Sequence, residues 1–283
     1  MAEKLGNIMH NNPVKVALVQ MLVQGGRSKQ NIEHAINLIA EASRQGAHLA
    51  LLPECMDLGW THPSSLTSAT EIPEGDRCMA LMQAAKQHKI YVCAGLTEKR
   101  GSKIYNTAVL IGKTGELLLK HRKLNELDIG QKYYAQGDRL NVVSTELGTV
   151  GLMICADGFA QDRVLSRALG YMGADIILSP GAWAVPHDHD NDKTPYGDLW
   201  RSVYMPTAKE FSCPIIAVSN VGPITAGPWA GRHCIGCSLA IDAVGQEMLQ
   251  GPYGVDAECI LYVDVTLEPR PARGTGWEAI WKP

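Results

Sequence analysis

The sequence predicts an α/β layered sandwich, on three observations. Apolar runs of strand length recur along the chain, amphipathic helical stretches separate them, and a glycine-bearing turn joins two strands as a hairpin. Periodicity alone leaves a doubly wound sheet open as the alternative. Val14–Gln20 (VKVALVQ) reads as a buried strand, and Ser28 can cap the helix after it, where Ile32, Ala35, Ile36 and Ile39 recur at helical spacing. Gly46 ends that helix, and 48–52 returns to a strand pattern. A helix over 77–88 and a strand over 90–96 repeat the order. Strands over 106–111 and 116–121 flank Gly112-Lys113-Thr114-Gly115, the predicted hairpin. A strand over 149–154 follows. Val164, Leu165, Ala168, Leu169 and Met172 then form one face of a helix that leads into a strand over 175–178. A helix over 198–210 and strands over 214–219, 235–241 and 259–265 complete the series.

The chain has 283 residues, enough for a substantial core. Its 26 Lys plus Arg against 29 Asp plus Glu give a formal net charge of −3, which argues against nucleic acid or an anionic membrane as the main partner. The first 13 residues are polar and mixed and do not read as a secretory signal. No run reaches the roughly 18 to 20 apolar residues that span a bilayer. The expected location is the reducing cytoplasm, where the eight cysteines stay free; in so long a chain they are too sparse for a disulfide scaffold. No fixed-period repeat or flexible linker is evident. One domain is expected over 14–268, followed by an extended tail over 269–283 with three prolines, Trp277 and Trp281.

Three polar residues stand just past predicted strands, where α/β proteins place their sites. Glu54 follows Leu49-Ala50-Leu51-Leu52-Pro53, Lys123 follows His121-Arg122, and Cys155 follows Val150-Gly151-Leu152-Met153-Ile154. Each alone has an ordinary reading: a solvated or capping acid, a surface cation, a small buried hydrophobe. Together they supply a base, a cation and a soft nucleophile, the groups that thiol attack on an amide requires.

These three segments, in this order, resemble the carbon–nitrogen hydrolase (nitrilase) superfamily, in its amidase-like branch. The likeness extends to Val16-Ala17-Leu18-Val19-Gln20, Gly95-Leu96-Thr97-Glu98, Tyr105-Asn106-Thr107-Ala108, Gly173-Ala174-Asp175, Pro180-Gly181-Ala182-Trp183, Asn220-Val221-Gly222 and Gly236-Cys237-Ser238 with Gly245. The resemblance implies a four-layer αββα sandwich that pairs through helices into an eight-layer homodimer or a higher homo-oligomer, an interface the tail could reach across. It implies Cys155 as nucleophile, Glu54 as general base and Lys123 as oxyanion stabiliser with the Ala156 N–H. By motif position Asp157 and Trp183 line the substrate pocket, or serve as helix cap and packing. No cofactor and no metal are expected.

One departure from the family pattern concerns a second glutamate. Relatives carry it before an aromatic–Pro–Gly element, where this chain has Tyr133-Tyr134-Ala135-Gln136-Gly137-Asp138, with Gly130 and Gln131 at the expected place of the carboxylate. Glu126 is the nearest substitute and Asp128 the second. Cys155-Ala156-Asp157 differs from the Cys-Trp-Glu of nitrilases proper, so the implied substrate is a small linear amide cleaved with ammonia release. An N-carbamoyl compound is the alternative; its carboxylate would need a cation such as Arg139, Arg201 or Arg232. Two readings from other classes remain at this point. One is a binding protein on the same fold using the polar loop 186–192, whose His187 and His189 are less suited to metal than to a solvated gating loop. The other is a zinc or thiol-redox protein built on Cys234 and Cys237, though a lone C-x-x-C is half a zinc site.

Overall fold

β1 (Val14–Gln20) builds two cores by alternation. Val14, Val16 and Leu18 enter one apolar layer and Ala17 and Val19 another, so the strand is buried on both faces. The computed structural model describes residues 13–270. The expected tail lies outside the described residues except for Pro269 and Arg270, whose guanidinium pairs with Asp175 at 2.9 Å.

After β1 come α1 (Ser28–Arg44), β2 (Leu49–Leu51), α2 (Ser65–Ser68), α3 (Asp76–His88), β3 (Tyr91–Arg100), β4 (Lys103–Ile111) and β5 (Leu117–Arg122). The second half runs β6 (Val142–Thr145), β7 (Gly148–Leu152), α4 (Val164–Met172), β8 (Ile176–Gly181), β9 (Ala184–Val185), α5 (Gly197–Phe211) and β10 (Ile215–Ser219). It ends with β11 (Val221–Pro223), β12 (His233–Ile235), β13 (Leu239–Ile241), β14 (Glu247–Gln250) and β15 (Cys259–Val265).

Two six-stranded sheets result, ordered β15-β1-β2-β3-β4-β5 and β14-β13-β10-β8-β7-β6. Each has three parallel strands, β1-β2-β3 in one and β7-β8-β10 in the other. Each is flanked by one antiparallel edge strand and an antiparallel hairpin, so the wiring repeats although the sequence shows no repeat. α1 and α3 pack on the outer face of the first sheet around Ile32, Ile39 and Leu81. α4 and α5 cover the second through Leu169, Trp200 and Phe211. Leu18, Leu51, Val150, Leu178 and Ile216 fill the space between the sheets. The order of layers is α, β, β, α, as the resemblance implies. Among the described residues no helix is long and apolar enough to cross a membrane.

Two local expectations are corrected. Ser28 is the first helical residue of α1, and the cap position, Arg27, makes no side-chain capping bond. The run 235–241 is not one strand: β12 belongs to a small sheet with β9 and β11, and β13 to the second large sheet. The break falls at Gly236 and Cys237, whose φ values of 66° and 59° are incompatible with a continuing ladder. Gln20 holds this corner, accepting from the Ser238 N–H at 3.1 Å and donating to the Pro252 and Ala257 carbonyls at 3.0 and 2.7 Å. A Cβ on Gly236 would lie 2.2 Å from the Gln20 amide, so only glycine fits.

Candidate active site

The parallel strands of both sheets deliver their C-terminal ends to the same region. β2 stops at Leu51, and Leu52-Pro53 carry the chain to Glu54, whose N–H donates to the Gly181 carbonyl at the end of β8 (3.2 Å). A side chain at position 95 would put its Cβ 2.5 Å from the Glu54 Cα; glycine there lets β3 pass close beneath the acid. Lys123 directly follows β5, its N–H held by the Asn106 carbonyl at 2.9 Å. Cys155 lies past β7 at the start of a 3-10 turn, Cys155–Phe159, and takes φ 44°, a left-handed conformation unusual for a non-glycine residue.

Lys123 Nζ donates to Glu54 Oε1 at 2.7 Å and to Glu126 Oε1 at 3.1 Å. Asn106 Nδ2 bridges the same two acids, at 2.6 Å to Glu54 and 3.0 Å to Glu126. All four side chains are buried. Asp128, the other acid considered, is exposed. Glu126 therefore occupies the far side of Lys123, three residues on in sequence. Asn106 stands in a segment that sequence reading quoted only for its resemblance; its pairing of two carboxylates becomes visible with their positions.

The charges within this group oppose one another. Burial raises the pKa of Glu54, Lys123 pulls it down and Glu126 pushes it up again, leaving it above the ordinary carboxylate value. Burial alone would lower Lys123, but the Glu54 and Glu126 carboxylates outweigh it and hold the ammonium charged. The Cys155 thiol is pushed well up by burial and by the Glu54 carboxylate. Lys123 and a hydrogen bond from the Ala182 backbone offset this only in part. The resting Cys155 is thus a protonated thiol under the influence of the Glu54 carboxylate.

Asp157 does not line the pocket. Its Oδ1 accepts from the Leu124 and Asn125 N–H groups at 3.1 and 2.8 Å, and its Oδ2 from Ile154 N–H at 2.9 Å and His121 Nε2 at 2.8 Å. Burial would raise its pKa, but His121 and these donors more than compensate and keep it low. Asn125 Nδ2 adds a bond to the Ala156 carbonyl at 2.6 Å. The Lys123 loop and the Cys155 turn are thereby tied into one unit. Asp157→Asn replaces an acceptor oxygen by a donor amide facing donors, and is expected to cost about 3 kcal/mol or more of unfolding free energy by denaturant titration. A loss below about 1 kcal/mol would refute the tie.

Trp183 is packed rather than presented to the cleft: it is buried and stacked on Trp200 with ring centroids 4.4 Å apart. Residues that sequence reading missed stand nearer. Trp60 lies beneath Lys123, its ring centroid 5.7 Å from Nζ. It walls a cleft together with His62, Asn220, Ile224, Thr225 and Cys234. Arg139 and Arg201 are bound to acids elsewhere, Asp138 for the first and Asp198 and Glu247 for the second. Arg232 stacks on Trp229 at 4.3 Å and does not line the cleft. In the polar loop, His189 and Asn191 are engaged in local hydrogen bonds to Thr194 and Tyr196. All eight cysteines are free thiols.

The chain is similar to known proteins. The carbon–nitrogen hydrolase family model matches residues 15–269. The chain is 38% identical over 179 residues to a nitrilase of Pyrococcus abyssi, covering 62% of this chain and 67% of that protein. It is 33% identical over 265 residues to omega-amidase NIT2 of Mus musculus, covering 90% and 89%. A mutant of the amidase from a Nesterenkonia species, solved with the acetamide moiety of fluoroacetamide on its active-site cysteine, superposes with a TM-score of 0.77 at 20% identity, covering 92% of this chain and 93% of that one. The protein belongs to the carbon–nitrogen hydrolase family and is a hydrolase of that amidase-containing group.

Proposed function

We propose that the chain hydrolyses a small linear amide through a cysteinyl thioester, with release of ammonia. The observation that carries this reading is the buried group in which Lys123 contacts Glu54 and Glu126, with the Cys155 thiol near enough to feel the Glu54 charge. A thiol whose pKa burial raises is a poor nucleophile unless a base takes its proton as it attacks. Glu54 accepts that proton while Sγ bonds to the carbonyl carbon. The charge that develops on the carbonyl oxygen falls to the Lys123 ammonium and the Ala156 N–H. Glu54 then returns the proton to the nitrogen as the C–N bond breaks, and ammonia leaves a thioester on Cys155. Water attacks the thioester, giving one proton to Glu54; the acid departs and Glu54 reprotonates the thiol. Glu126 and Asn106 hold Lys123 and Glu54 in register. The cysteine adduct described for the Nesterenkonia amidase supports the choice of nucleophile.

The test is ammonia release across a panel of aliphatic amides, nitriles and N-carbamoyl amino acids, with mass spectrometry of the quenched enzyme. The expected result is turnover of amides and an acyl mass on the peptide holding Cys155. Because Glu54 must be ionised to act and its pKa is raised, kcat/KM is expected to climb with pH above the ordinary carboxylate range and to level off once Glu54 has lost its proton. Turnover of nitriles alone, or an acyl group on another residue, would overturn the reading. We also propose pairing through the outer helices, supported by exposed Val164 and Tyr171 on α4 and Leu199 on α5.

A further inference from the structure

We infer that Gly130 is a positioning residue for the hydrolytic reaction: its missing side chain is the space in which the Glu126 carboxylate is held on Lys123, and an acid supplied from position 130 can take the same place. The inference deepens the amidase reading above and rests on it. Two observations carry it.

The first is a close approach that backbone conformation does not explain. Gly130 is buried and takes no positive φ, so its dihedral angles do not call for glycine. A Cβ at this position would lie 2.6 Å from Glu126 Oε1, 2.7 Å from its Cδ and 2.8 Å from its Cγ. Those distances are well inside the roughly 3.5–4.0 Å of a comfortable contact. The side chain of Glu126 is therefore what requires glycine here. The backbone at 130 is not free to withdraw. Its N–H donates to the Leu127 carbonyl at 2.7 Å, and its carbonyl accepts from the Tyr133 and Tyr134 N–H groups at 2.8 and 2.9 Å. Tyr134 is anchored in turn, its hydroxyl accepting from the Thr61 N–H at 3.0 Å. A methyl group added at 130 thus pushes the Glu126 carboxylate from its seat and leaves the loop in place.

The second observation is what the seat does. Glu126 Oε1 accepts from Lys123 Nζ and from the Leu127 N–H, both at 3.1 Å, and Oε2 accepts from Asn106 Nδ2 at 3.0 Å. Lys123 and Asn106 each also donate to Glu54 Oε1, so the seat sets both the position and the charge surroundings of the base. Glu126 raises the pKa of Glu54 and Lys123 lowers it. The other titratable groups around Glu54 are the thiols of Cys55, Cys155 and Cys234, which its charge pushes up. Displacing Glu126 removes the raising charge and leaves Lys123 to Glu54 alone, so Glu54 then loses its proton at lower pH. A glutamate at 130 starts beside the Oε1 seat, and its carboxylate reaches the same ammonium once residue 126 is shortened.

Three variants of the full chain test this: Gly130→Ala, Glu126→Ala, and Glu126→Ala combined with Gly130→Glu. One readout is kcat and KM for ammonia release from butyramide. The other is the pH dependence of Cys155 alkylation by iodoacetamide, followed by mass spectrometry; Sγ displaces iodide and its proton passes to Glu54. Gly130→Ala is expected to lower kcat about 10²-fold with KM nearly unchanged. It is also expected to move the rise in alkylation rate about one pH unit lower. Its thermal midpoint is expected to stay within a few degrees of native. The double variant is expected to regain at least about tenfold in kcat over Glu126→Ala and to return the alkylation profile toward the native one. A native kcat in Gly130→Ala, a fall in kcat without a shift of the profile, or a double variant that behaves as Glu126→Ala overturns the inference. If the native chain releases no ammonia from any amide, the alkylation profiles decide alone. A shift in Gly130→Ala that the double variant reverses then supports the positioning role and overturns the amidase reading instead.

Discussion

Replacing Cys155 by alanine is expected to reduce ammonia release by about 10⁴-fold or more while shifting the thermal midpoint by only a few degrees. The chemistry leaves no substitute. Among the other thiols, Cys93 and Cys213 are buried in the cores with their pKa values raised, and Cys55 lies in a packed cluster with Trp60 and Tyr134. Cys55 carries φ 44°, as Cys155 does, but burial and the flanking Glu54 and Asp57 carboxylates push its thiol well up, and it is wholly enclosed. The small stability change follows from the half-buried setting of Cys155: removing one sulfur atom there opens little cavity. Alanine also avoids an unpaired buried polar atom. Residual activity above about 1% of the native rate would remove Cys155 from the mechanism.

The second large effect is expected from Lys123→Met. The native ammonium separates two buried carboxylates, Glu54 and Glu126, at 2.7 and 3.1 Å. Without it the acids face each other across an apolar side chain, and breaking a buried pair in this way costs about 3–5 kcal/mol. The sign of the pH dependence follows from linkage. Glu54 loses the charge that held its pKa down, so in the folded variant it rises further above the unfolded value of about 4.3. The folded state then binds protons more tightly than the unfolded one. The stability deficit is smallest in acid, grows as the pH climbs above about 4.3, and levels off once the raised pKa is passed. Denaturant midpoints at pH 5 and pH 8 measure it. Adding Glu54→Gln is expected to recover part of the loss at pH 8, because one of the two charges is gone. A deficit equal at both pH values would show that the cost comes from packing and not from charge. Activity is expected to be lost in both variants, since each lacks a group that meets the reacting atoms.

Much of the fold was legible because burial on both faces leaves a plain signature. Val14–Gln20 and 175–178 are apolar in nearly every position, which only a strand between two layers tolerates at that length. The hairpin of β4 and β5 was announced by Gly112 and Gly115. The run 235–241 misled because its apolar character is real, yet two consecutive positive φ values turn the chain from one sheet to another. Nothing in hydrophobic alternation reports a backbone angle. Asp157 misled for a different reason: its neighbour in sequence is the nucleophile turn, but three of its hydrogen-bond partners, His121, Leu124 and Asn125, lie 30 or more residues away on β5 and the Lys123 loop.

By itself, the sequence determined the alternation of elements, the three residues standing at strand ends and the kind of chemistry that a carboxylate, an ammonium and a thiol can perform together. Those properties are local: they depend on residue type and on periods of two or 3.6 along the chain. Only the tertiary structure decided that Glu126 and not Asp128 reaches Lys123, that Asn106 bridges the two acids, and that Asp157 is consumed within the protein. It also decided the character of the cleft, where Trp60 and Asn220 come together from opposite halves of the chain with no charged residue between them. Such facts turn on distances of a few ångströms between residues far apart in sequence. Strand order and sheet packing set those distances, and composition and spacing do not encode them.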